Sequence, residues 1–122
     1  MKKFNEYVEA MIEKCEVIKD ELQDDFHFIA FSIFLTNSGE RYYKNGKLLS
    51  FFKDIKSGVN AGTNKEEVKT YLTTTCQKYE KARLQDNPVN FSTNPMANLI
   101  RLWHFELLAE YIKHINIMLS KI

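Results

Sequence analysis

Near the start of the chain, apolar side chains recur at alternating intervals of four and three residues: Phe4, Val8, Met11, Cys15, Ile18 and Leu22. At about 100° of turn per residue these positions share one side of a helix. Glu, Lys and Asp fill most of the intervening positions. The spacing predicts an amphipathic helix over 3–23 that packs on a core or on a partner helix. Three heptads are too short to demand a coiled coil.

The next stretch, DDFHFIAFSIFLTNSGE, is apolar at nearly every position, so its periodicity does not separate a buried helix from a buried strand. Asp24 or Asp25 suits a helix cap, and Gly39 suits a helix stop. Enrichment in Phe and Ile favours a strand instead, and RYYKNGKLL then supplies a second strand, with Asn45-Gly46 as a two-residue hairpin turn. Helix is preferred, with a β-hairpin in 26–49 as the alternative. Leu48, Phe51, Phe52 and Ile55 then fit one face of a short helix ending near Gly58.

GVNAGTN at 58–64 is the best internal loop, and Thr63 with Glu66 has capping-box spacing. Val68, Tyr71, Leu72, Cys76 and Tyr79 form the apolar side of a helix running to about 84. A connector, QDNPVNFSTNP, leads to Asn94 and Pro95, a capping residue followed by one suited to the first helical position. The last helix then runs from 95 to about 120. Its apolar residues include Ile100, Leu107, Leu108, Tyr111, Ile115, Met118 and Ile122, flanked by Phe105, Ile112 and Leu119. With Trp103 at the edge, they cover a sector of roughly 200°, wider than the stripe of an ordinary surface helix. Such a helix should be contacted from two directions, by its own domain or by a second chain. The fold expected is mainly α, a compact bundle of about four or five helices in a single domain, 1–122.

Size and composition agree with this. A chain of 122 residues with 4 Gly and 2 Pro is neither loop-rich nor disordered. Seventeen basic against sixteen acidic side chains leave a formal charge of +1, which gives no global footprint for nucleic acid or an anionic membrane. Glu6, Glu9, Glu13 and Glu16 interrupt any apolar leader, and the run at 26–35 is shorter than the roughly 20 residues that cross a bilayer. A soluble, cytoplasmic protein is expected. Cys15 and Cys76 lack metal-ligand spacing and read as core side chains.

Polar chemistry concentrates in LIRLWHFELLAE at 99–110, where Arg101 and His104 sit three residues apart around Trp103. Burial of either without a partner would be costly, so a polar seam against another element is expected. Arg and Trp are common at binding hot spots. Arg101, Trp103, His104 and Tyr111 are therefore the candidate interface residues. A catalytic alternative would use His104 as acid or base and Arg101 to stabilise an anion, as phosphodiester cleavage requires. Helical ribonucleases of the HEPN family also pair an Arg with a His, but across a longer spacer with a polar residue after the Arg, which Leu102 and Trp103 do not match. Glu106, Glu110 and His114 at four-residue steps resemble a metal face, yet the paired Glu-x-x-His motifs of a di-iron bundle are missing, and a solvated charged face is expected. His27 reads as structural or surface. No phosphate loop or nucleophile elbow occurs.

Two functions follow as expectations. One is a non-enzymatic protein-binding domain, such as an inhibitor, an immunity protein or a small subunit, binding another protein or itself as a homodimer. The other is an RNA-binding or RNA-cleaving helical protein using Arg101 and His104, with Lys78, Lys81 and Arg83 on phosphates. Neither requires a cofactor, a metal or a membrane.

Overall fold

A computed structural model describes residues 1–23, 37–59, 63–85 and 94–122. They form four helices: α1 (Lys2–Gln23), α2 (Asn37–Gly58), α3 (Lys65–Gln85) and α4 (Pro95–Ser120). The fold is a mainly α bundle, with no strand among the described residues.

Phe4, Val8, Cys15 and Leu22 bury one side of α1, joined by Ile12, while Met11 and Ile18 are half-buried. α1 lies antiparallel to α2. Lys56 meets Glu9 at 2.7 Å, Lys53 meets Glu16 at 3.5 Å, and Asn45 donates its amide to the Cys15 carbonyl at 2.8 Å. Both ion pairs are exposed and contribute at most about 1 kcal/mol each. α3 and α4 form a second antiparallel pair, with Tyr79 beside Tyr111 and Arg83 beside Phe105. The two pairs join mainly where α2 crosses α4 in the same direction: Tyr43 meets Trp103, Phe51 stacks on Tyr111 at 4.7 Å, and Phe52 meets His114.

Two expectations are corrected here. Residues 41–49, the second strand of the alternative hairpin, lie inside α2. Residues 26–36, which carry the first strand and the expected additional helix, lie outside the described residues, among which there are four helices. Asn45 turns into the bundle to bond α1, and Leu49, Phe51, Phe52 and Ile55 are buried, so helical burial outweighs the Asn-Gly turn preference. Gly39 does not stop a helix; it lies in the first turn of α2.

Gly46 is exposed, and a Cβ added there would meet nothing within 4 Å. Gly46→Ala is expected to stabilise the protein by about 0.5–1 kcal/mol in chemical denaturation, because a mid-helix glycine forfeits that much to chain entropy. Destabilisation would instead indicate a turn at this position. Gly58 has the opposite surroundings, since its missing Cβ leaves room for the Tyr71 ring.

The helix starts also have identifiable causes. Asn64, rather than Thr63, caps α3, accepting a hydrogen bond from the Glu67 amide at 2.8 Å. Asn94 caps α4, accepting from Met96 at 3.0 Å, and Pro95 occupies the first turn. Asn94→Ala is expected to lose about 1 kcal/mol, read as a lower denaturation midpoint with an unchanged slope.

Candidate functional site

The four candidate interface residues separate by depth. Trp103 is 3% exposed and lies tilted against Tyr43, with ring centres 5.4 Å apart. Tyr111 is buried between Phe51 and Tyr79. Burial, with Tyr79, Tyr43 and Asp54 nearby, pushes its hydroxyl up to about 12. Both rings are thus core groups of the folded chain. Arg101 is half-buried and His104 is exposed, although the helical wheel turns His104 toward the core sector. Tyr111, about two turns further on, has α2 and α3 aromatics around it, whereas His104 lies nearer the start of α4.

That start of α4 lies beside the end of α3, and both stretches carry exposed apolar side chains. Leu84 is 89% exposed, Met96 48% and Leu102 42%. These are three of the five large apolar side chains exposed among the described residues, the others being Met1 and Val17. Near the end of α3, Arg83 places its guanidinium 4.7 Å from the centre of the Phe105 ring of α4. Such a contact leaves the charge in water while covering an apolar face.

The basic residues Lys78, Lys81 and Arg83 do not form one track. Lys78 and Lys81 are exposed and neighbouring, but Arg83 lies about 160° round the helix from Lys81 and is engaged with Phe105. Nor do Glu106, Glu110 and His114 share a solvated face, which corrects the sequence expectation. Each four-residue step advances about 40° beyond a full turn, so the line rotates inward as it descends. Glu106 pairs with Lys44, which also holds Glu40 at 2.9 Å. Burial alone would lower the Lys44 ammonium's pKa, but hydrogen bonds and charge from Glu106 and Glu40 raise it overall. Among the described residues, no group of three His, Cys, Asp or Glu could hold a metal ion.

His114 is the titratable group that sequence spacing missed. It is 8% exposed, and its Nδ1 lies 2.6 Å from the Tyr7 hydroxyl of α1. Glu110 reaches toward Nε2 at 3.8 Å, and the Phe52 ring meets the imidazole edge-on at 4.9 Å. Burial lowers the pKa of His114 below its ordinary 6.5; Glu110 opposes the shift, and Lys113 and Lys14 reinforce it. Burial, with the Glu110 charge, raises the pKa of the Tyr7 hydroxyl. Because Glu110 faces Nε2, the proton of the neutral ring is assigned to that nitrogen, which leaves Nδ1 to accept from Tyr7. The signal available in the sequence was rotational drift, which carries 114 into the sector of Leu107 and Tyr111.

A shallow groove between α1 and α2 is floored by Ile18 and Leu48 and rimmed by Glu40, Arg41 and Lys44. It includes neither Arg101 nor His104. Cys15 and Cys76 are buried free thiols. Among the described residues, no helix is long and apolar enough to cross a membrane. Compared with known protein families, with curated proteins and with solved structures, the chain matches none.

Proposed function

We propose that the chain is a non-enzymatic protein-binding domain, of the kind that serves as an inhibitor, an immunity protein or a small subunit, acting in the cytoplasm. Its contact surface is the end of the bundle where α3 stops and α4 starts. The supporting observation is that exposed Leu84 lies at the end of α3 and exposed Met96 and Leu102 lie in the first turns of α4, the stretch that also carries Arg101 and His104. Apolar side chains rimmed by polar ones are the usual composition of a contact patch, and Met and Arg are enriched in such patches. Buried, unpaired cysteines fit a reducing compartment.

The test is site-specific photo-cross-linking in cells. A photoreactive residue replacing Leu102 should yield discrete protein adducts, either with a second copy or with another protein, whereas the same residue replacing exposed Lys113 should not. Equal labelling at both positions, or none at 102, would exclude this surface. Mass analysis of the adduct separates a homodimer from a different partner.

A further inference from the structure

Tyr7 and His114 are 107 positions apart in the chain, and their hydrogen bond joins the first helix to the last. α1 meets α4 over the smallest of the four main helix–helix contacts, and this part-buried bond crosses that seam. With its ring proton on Nε2, the neutral imidazole accepts a hydrogen bond from the Tyr7 hydroxyl at Nδ1. A proton taken up from solvent at Nδ1 converts that nitrogen into a donor, and the phenol loses its acceptor. The hydroxyl must then turn round or separate, and an imidazolium is left beside the Phe52 ring.

We propose that the Tyr7–His114 pair is an acid-sensitive latch: it holds α1 against α4 while the imidazole is neutral, and protonation of the ring opens the seam. Charged and titratable groups surround it from both helices. α1 contributes Tyr7 and Lys14; α4 contributes Glu110 and Lys113, with the Lys121 ammonium 5.6 Å from the Tyr7 ring centre. α2 contributes the apolar Phe52. Glu110 favours the charged ring, but its side chain is 46% exposed and stands 3.8 Å away, so water screens it. Burial and the lysines favour the neutral ring.

Linkage fixes the direction. A histidine whose folded pKa lies below 6.5 binds fewer protons in the closed state than in the open one. Its stabilisation of the seam is complete above about pH 6.5 and is lost as pH falls through the lower closed-state value. α1 remains attached to α2 through Asn45, Glu9 and Glu16. The opening is therefore local.

Amide exchange at about pH 7.5 and about pH 5.5, corrected for intrinsic rates, tests the latch. Amides around Tyr7 should lose protection severalfold at the lower pH, while those around Leu72 in α3 keep theirs. His114→Phe should make α1 protection independent of pH. A flat profile in the natural protein, or an undiminished pH effect in His114→Phe, would overturn the proposal. If His114→Phe does not fold, His114→Gln replaces it, since its amide oxygen accepts from Tyr7 without titrating. An NMR titration of the natural protein decides independently: a His114 midpoint at or above 6.5 rules the latch out.

Discussion

Phe52→Ala is expected to cost about 3–5 kcal/mol, a large share of the roughly 5–15 kcal/mol that stabilises an ordinary domain. Phe52 has no exposed surface, and its ring lies 5.0 Å from Phe51, 4.9 Å from His114 and 6.5 Å from Tyr7. Truncation removes contacts to α1 and α4 together, and the surrounding rings are too constrained to refill the space. Urea denaturation should show a much lower midpoint with little change of slope. A cost below about 1 kcal/mol would mean that α2 does not pass through the centre of the bundle.

Trp103→Ala should have a comparable cost, about 3–5 kcal/mol, and here the consequence bears on function. Trp103 is 3% exposed against Tyr43, so its loss leaves a cavity where α2 begins its crossing of α4. A surface anchor behaves differently. Truncating one typically changes stability by less than about 0.5 kcal/mol while weakening association. Denaturation of Trp103→Ala therefore separates the core role from the interface role that the sequence suggested. Leu102, its exposed neighbour, should show the surface pattern.

How much of this was legible in the sequence depended on how many partners each helix has. α1 presents one side to the core, and the spacing of Phe4, Val8, Cys15 and Leu22 displays it directly. The start of α4 was equally plain, because Asn94 and Pro95 are local signals with local causes. α2 was not readable in the same way. It lies between α1 and α4, so Phe51 and Phe52 face different neighbours and no single apolar stripe emerges. The Asn45-Gly46 pair then invited a turn, although Asn45 bonds the Cys15 carbonyl across the α1–α2 contact.

The candidate site divided along similar lines. Arg101 and His104 were visible as polar residues in an apolar stretch, but sequence does not reveal where along α4 its neighbours begin to cover it. His104 and His114 therefore exchanged depths relative to expectation: the first is exposed and the second is buried. Tyr7, the partner that satisfies His114, lies too far along the chain for spacing to suggest. Leu84 stood out in neither the helical pattern nor the motifs, and its exposure emerges only from the packing of α3 on α4.

The crossing of α2 over α4 joins the two helix pairs, and NMR distance contacts in the natural protein test it most directly. Contacts between the Tyr43 and Trp103 rings, between Phe51 and Tyr111, and between Phe52 and His114 are expected, together with uninterrupted helical connectivity through Asn45 and Gly46. Cross-strand contacts flanking Asn45-Gly46, with none between the α2 and α4 aromatics, would contradict it.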